Sequence, residues 1–176
     1  MYNTDLSQNN TKKHIRGLIK SRVSNMDIKY GKVLTLPCLD FTLEVELSKT
    51  HNVHTIEKYE HYYAQQIKMC KGSGIYNIHS DLVAFLLKTN HYYDYAYLDL
   101  CGQISKDMIM ALVAIKCDNL AITVMMAREL KQWTKFSKNR EDMYNKLFNS
   151  LGYRIETSIK YNNNRTPMCT YFLTKN

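Results

Sequence analysis

Backbone breakers and tryptophan are scarce in this sequence of 176 residues, which has two prolines, six glycines and one tryptophan. Its five cysteines (Cys38, Cys70, Cys101, Cys117 and Cys169) are odd in number, widely spaced and without a C-x-x-C pair. That pattern argues against a disulfide framework or a zinc site, and it fits a reducing compartment. No apolar run approaches the ~18 uninterrupted residues of a membrane span, and Met1 to Asn10 is polar with no apolar core of a signal peptide. The six histidines form neither H-x-x-x-H nor H-E-x-x-H, so no metal is expected. A cytoplasmic chain is expected, with no membrane association.

What is present is average in bulk and uneven in detail. Hydrophobic residues make up 45% and charged residues 23%, ordinary for a folded globular chain, and the length suits one domain with a real core. Fourteen tyrosines stand out, as does a net charge of +8. The charge fits either simple solubility or a polyanionic partner such as RNA or DNA. It is regional. Lys12, Lys13, Arg16, Lys20 and Arg22 form one basic segment, and Arg128, Lys131, Lys135, Lys138 and Arg140 form another. Lys12, Lys13, Arg16, Lys20, Lys131, Lys135 and Lys138 are the candidate phosphate contacts.

Taken in order, residues 1–30 read as a basic arm and a helix from about Thr11 to Met26 with Ile15, Leu18, Ile19 and Val23 on one side. Residues 31–176 then alternate strand and helix. Lys32–Cys38 is a short apolar strand, and Val53–Glu57, Ile75–His79, Tyr93–Asp99 and Leu120–Met126 are the next four. Between them lie a helix from Asp40 to about Lys49, whose pattern alternates as well as it spirals, and a tyrosine-rich helix from Tyr59 to Cys70. A third helix is capped by Ser80 or Asp81, and a fourth runs from Lys106 to about Lys116. That fourth helix is apolar nearly all round and is expected to be covered. A helix from Glu141 to Leu151 ends at Gly152. Tyr153–Tyr161 and Met168–Thr174, joined by a turn at residues 162–167, form an antiparallel hairpin. The order specifies an α/β, doubly wound three-layer sandwich with a mostly parallel seven-stranded sheet.

Strands ending on acids, Glu57 and Asp99, with helices following, place chemistry at the carboxyl edge of the sheet. The element order, Glu57 ending strand two, His79-Ser80-Asp81-Leu82 after strand three and Asp99-Leu100-Cys101-Gly102 after strand four resemble the class I Rossmann-like S-adenosylmethionine-dependent methyltransferases. The resemblance spans about Lys32 to Lys175. It implies S-adenosylmethionine as cofactor, with Glu57 on the ribose hydroxyls, Lys58 and Ser80 nearby, and Asp81 either on the adenine amino group or serving only as a helix cap. It also implies that Asp99 orients an acceptor amine beside the methyl donor, in an abbreviated form of the Asp-Pro-Pro-Tyr motif. The family's glycine-rich first loop is replaced by Leu36-Pro37-Cys38-Leu39-Asp40-Phe41. Leu36 and Pro37 would line the cofactor there, and Asp40 or Glu44 would hold its ammonium. Cys101 is a second catalytic candidate as a thiolate at a helix start, against the commoner reading of a buried cysteine. Two alternatives remain open: a catalytically silent nucleic-acid-binding or regulatory module, and a small-molecule methyltransferase.

Overall fold

The computed structural model describes residues 10–26, 31–37, 41–100, 102, 105–126, 139–163 and 166–176. Helix α1 (Asn10–Ser24) precedes a chain of alternating elements: β1 (Lys32–Thr35), α2 (Thr42–Leu47), β2 (Asn52–Glu57), α3 (Glu60–Met69), β3 (Tyr76–His79), α4 (Leu82–Lys88), β4 (Tyr92–Asp99), α5 (Lys106–Ala114), β5 (Lys116–Met125), α6 (Arg140–Ser150), β6 (Tyr153–Asn163) and β7 (Thr166–Lys175). The strands form one seven-stranded sheet in the order β3-β2-β1-β4-β5-β7-β6. Strands β1 to β5 are parallel, and β7 runs antiparallel between β5 and β6. This is the doubly wound sandwich that the order of elements specified.

The sheet is apolar on both faces because helices cover both. On one side, Ile15, Ile19 and Val23 of α1 and Leu43 and Leu47 of α2 pack on Val33, Val53, Tyr95, Tyr97, Ala121 and Phe172. On the other, Leu82 and Leu86 of α4, Ala111 and Leu112 of α5, and Tyr144 and Phe148 of α6 pack on Leu34, Ile56, Ala96, Leu98, Leu120, Ile122 and Tyr171. Polar groups pin the antiparallel end: the Tyr153 hydroxyl donates to the Cys117 carbonyl at 3.0 Å, and the Thr123 and Thr170 hydroxyls meet at 2.8 Å. A buried hydroxyl with a partner avoids the desolvation penalty of an unmade bond.

Several boundaries differ from the sequence expectation, each for a local reason. β1 stops at Thr35, although the Leu36 amide still donates to the Tyr97 carbonyl at 3.1 Å. Pro37, which has no N–H to give, cannot extend the ladder. β5 begins at Lys116, four residues before Leu120, with Lys116 and Asp118 exposed on either side of buried Cys117. Helix α5 buries only Ala111 and Leu112 fully, and leaves Met110 49% and Val113 68% exposed, so the expected cover over that helix is absent among the described residues. A register shift between Ile155 and Thr157 leaves Glu156 unpaired in the β6 ladder. Gly152, at φ 80°, turns the end of α6 into β6 in the left-handed region where glycine carries no Cβ penalty. No helix of the described residues is long and apolar enough to cross a membrane.

Candidate cofactor and acceptor site

Parallel pairing brings the carboxyl ends of β1 to β5 to one edge. Thr35 lies opposite both Thr55 of β2 and Tyr97 of β4. Two residues further on, Glu57 and Asp99 therefore end β2 and β4 at one level, on either side of the carboxyl end of β1. Strands are ~4.8 Å apart, so the backbones of the two residues are separated by roughly 10 Å along the edge. Glu57 continues the parity of Val53, and Asp99 that of Tyr95 and Tyr97, so both belong to the face covered by α1 and α2.

At the β2–β3 end, Glu57 is half-buried, and its Oε1 accepts the Tyr59 amide at 2.8 Å. The Ser80 amide donates to the Glu57 carbonyl at 3.1 Å, tying the two strand ends together. Asp81 caps α4: its Oδ1 accepts the amides of Val83 at 2.9 Å and Ala84 at 3.2 Å. Its Oδ2 lies 4.0 Å from Lys58 Nζ. His79 Nε2 is 3.1 Å from the Lys58 carbonyl and Nδ1 is 3.2 Å from Glu60 Oε2, with the Tyr63 ring stacked at 4.8 Å. Thus Glu57, Lys58, His79, Ser80 and Asp81 form one polar corner, edged by the exposed ring of Tyr59. Glu57, Lys58, Ser80 and Asp81 were expected near one another from the sequence, and His79 joins them through its contacts with the Lys58 carbonyl and Glu60.

The turn after β1 lacks glycine but still takes a left-handed step, at Phe41, with φ 49° and ψ 14°. Such a conformation costs a non-glycine residue ~1–2 kcal/mol, and burial of the Phe41 ring offsets it. Leu36 and Pro37 lie half-buried at the start of this turn, and Asp40 is outside the described residues. Phe41 occupies the N-cap position of α2, without a side-chain cap bond, so the helix starts later than the Asp40 expected from the sequence. Glu44 is buried in α2 beside the Cys70 thiol, whose pKa is raised by burial and then by the Glu44 charge.

The carboxyl end of β4 differs most from the sequence expectation. Asp99 Oδ2 lies 2.9 Å from Lys12 Nζ, and both side chains are only 3% exposed. The Tyr97 hydroxyl donates to the same oxygen at 3.4 Å. The expectation that Lys12 contacts phosphate in solvent is corrected, because it lies inward on the carboxylate. Lys20 pairs with Glu46 at 2.7 Å, while Arg22 pairs with Glu156 and lies 4.8 Å over the Phe172 ring. Of the N-terminal candidates, Lys13 is exposed and Arg16 half-buried. Lys131, Lys135, Lys138 and Cys101 fall outside the described residues. The signal that would have revealed Lys12 was its spacing, since it stands one turn before Ile15 in the stripe Ile15, Ile19 and Val23.

Among the described residues the thiols are Cys70, Cys117 and Cys169, all buried. Burial pushes the Cys117 thiol up to about 12 and raises Cys169 and Cys70 as well. A thiol held protonated attacks nothing at neutral pH.

The donor set suits a nucleoside bearing a cationic amino-acid tail: carboxylates at the ends of β2 and β4 and a polar corner beside β3. No family model matches the sequence, and no curated protein matches it. Solved structures do match in shape. The magnesium protoporphyrin IX methyltransferase of Synechocystis PCC 6803, solved with bound SAH, superposes with a TM-score of 0.68 at 14% identity, over 94% of this chain and 83% of that one. A S-adenosylmethionine-dependent methyltransferase from Clostridium acetobutylicum gives 0.67 at 11% identity, over 93% and 91%. A 4+2 cyclase gives 0.66 at 10% identity, over 92% and 80%. The chain has the Rossmann-like fold of the S-adenosylmethionine-dependent methyltransferases.

Proposed function

We propose that this protein is a S-adenosylmethionine-dependent methyltransferase whose acceptor is an amino group on RNA or DNA. The observation that carries the reading is the carboxylate of Asp99 at the carboxyl end of β4, in a seven-stranded sheet that superposes on those of S-adenosylmethionine-dependent methyltransferases. A carboxylate there accepts N–H bonds from an acceptor amine and so directs its lone pair, and positioning is most of what methyl transfer requires.

The cofactor supplies an activated methyl group on sulfur. Glu57 would accept hydrogen bonds from both ribose hydroxyls, for which a carboxylate is suited. Lys58, Ser80 and Asp81 would border the adenine, with Leu36 and Pro37 under the chain of the ligand. Tyr97 steadies Asp99 through its hydroxyl. An acceptor base in a duplex would have to leave the stack to reach Asp99. The net charge of +8 supports a polyanionic partner. The internal pairing of Lys12, Lys20 and Arg22 moves that role toward Lys13 and the second basic segment.

A second reading, a catalytically silent binding module, is favoured by the same Lys12 contact and by the glycine-free first turn. Titration with S-adenosylhomocysteine while following thermal unfolding separates the two readings. The enzyme reading expects saturable stabilisation, and the silent module expects none. Binding of a short RNA or DNA that weakens linearly in log salt supports the nucleic-acid acceptor; salt-insensitive behaviour points to a small molecule instead.

A further inference from the structure

The parallel strands that bring Glu57 and Asp99 to one edge of the sheet begin at the opposite edge, with Tyr76 of β3, Asn52 of β2, Lys32 of β1, Tyr92 of β4 and Lys116 of β5. Aromatic rings gather at this amino edge, on the side covered by α4. His54 lies opposite Tyr76 in the β2–β3 ladder and one residue out of step with Val53, so both rings stand on the α4 side. The His54 ring is 5.2 Å from that of Tyr76, 5.4 Å from His91 and 5.6 Å from Tyr93, and Phe85 of α4 lies 6.5 Å from His91. Tyr93 is buried and anchors the group, with its hydroxyl 3.1 Å from His54 Nδ1. At the outer end Tyr76 is 64% exposed, and His91 is exposed as well. Rings held in place by their neighbours lose little freedom when a ligand stacks on them.

Lysines surround these rings. After burial and His91, the Lys32 charge is the third cause that lowers the His54 pKa, which places that lysine beside the cluster. Lys88 ends α4, and Lys116 Nζ donates to Asn90 Oδ1 at 3.3 Å, next to His91. The connections that return the chain to this edge at residues 48–51 and 70–75 add exposed Lys49 and Lys71, and no acid. None of these five lysines has an acidic partner among the described residues, in contrast to Lys12, Lys20 and Arg22. The two acids of the edge are engaged: Asp94 Oδ2 accepts the Lys32 amide at 2.7 Å, and the Tyr92 hydroxyl donates to Asp118. Exposed rings set among unpaired lysines match a strand of unpaired nucleotides, whose bases stack on the rings while the lysines neutralise phosphates.

We infer that this amino edge binds single-stranded nucleic acid, with bases stacked on Tyr76 and His91 and phosphates held by Lys32, Lys88 and Lys116. It rests on the nucleic-acid acceptor proposed above and adds a second contact, on the edge of the sheet away from Glu57 and Asp99. A stretch flanking the acceptor nucleotide is the segment held there.

The test is fluorescence anisotropy with a labelled single-stranded RNA of about 12 nucleotides, a length within one single-strand site, titrated with the full chain at several salt concentrations. Tyr76→Ala should weaken binding ~5- to 150-fold, the loss of one base–aromatic stack, whereas Tyr76→Phe keeps the ring and should bind as the wild type does. Lys88→Gln should lower the slope of log affinity on log salt by ~0.7, and Lys146→Gln on α6, the same change of charge, should leave it unaltered. Melting curves of each variant confirm that it folds. The same RNA as a duplex should bind less tightly, because its bases are already stacked on one another. Equal affinity of wild type, Tyr76→Ala and Lys88→Gln overturns the inference and leaves the proposed acceptor class standing. Absence of binding by the wild type at low salt overturns both. The S-adenosylhomocysteine titration, run alongside, judges the enzyme reading by itself.

Discussion

Lys12 and Asp99 form an ion pair that is shut away from solvent, with Nζ and Oδ2 2.9 Å apart, and it joins the first helix to the carboxyl end of β4. Removing one partner of such a pair leaves an uncompensated buried charge, whereas removing both need cost little. Lys12→Ala is expected to destabilise the protein by about 3–5 kcal/mol. The double change Lys12→Met with Asp99→Leu should come close to wild-type stability. Urea unfolding of the two variants checks this, and equal losses in both would mean that the charges are not coupled.

His54 supplies a pH dependence. Burial first, then the charges of His91 and Lys32, lower its pKa from 6.5 to about 4, and its Nδ1 lies 3.1 Å from the Tyr93 hydroxyl. A histidine with a depressed folded pKa is held neutral in the native state, so the unfolded chain binds the extra proton. Its stabilising contribution is complete above pH 6.5, falls as the pH drops from there to about 4, and does not fall further below. With the ring half exposed, the loss is on the order of 1–2 kcal/mol after discounting for solvent screening. Between these limits the unfolding free energy of the wild type should fall relative to that of His54→Phe as the pH drops. Parallel curves would remove His54 as the cause.

The two readings of Asp81 separate by substitution. As a cap it accepts two amides of α4, so Asp81→Ala should cost ~1 kcal/mol, while Asp81→Asn keeps the cap. If Asp81 also receives the adenine amino group, the asparagine variant should keep stability and still lose affinity for S-adenosylhomocysteine. Unchanged affinity in a stable Asp81→Asn variant would assign it to capping alone.

Glu57 is the most specific ribose candidate, because its main contact within the chain is to the adjacent Tyr59 amide. Glu57→Gln should retain the fold and weaken S-adenosylhomocysteine by ~1.5–3 kcal/mol, the usual worth of a hydrogen bond to a charged group. Isothermal titration reads this directly, and an unaltered dissociation constant would displace Glu57 from the site.

Much of this architecture was legible before the structure, and what was not has physical causes. Alternating apolar runs located the described strands and most of the described helices, because both faces of a parallel sheet must be apolar and its crossovers must be helical; α2, whose pattern alternates as well as it spirals, starts after Phe41 without a side-chain cap. The start of β5 was hidden by Lys116, Asp118 and Asn119, whose polarity masks a strand held by pairing with Tyr92, Tyr93 and Tyr95. The exposed side of α5 misled in the opposite direction, since apolarity alone does not say what covers Met110 and Val113. At the site, Glu57 and Asp99 were visible as acids ending strands. Their common level was not, because it depends on the register through β1. Lys12 was misplaced because a lysine in a basic segment reads as solvated, and only its helical phase with Ile15 betrays its burial.

S-adenosylmethionine binding is proposed at the carboxyl edge of the sheet that bears Glu57 and Asp99. Thermal unfolding of the purified chain with increasing S-adenosylhomocysteine tests it most directly. Binding there should give a saturable rise in stability, about 2.7 kcal/mol at 100 times the dissociation constant, that is reduced in Glu57→Gln. An unchanged melting temperature at millimolar ligand would contradict it.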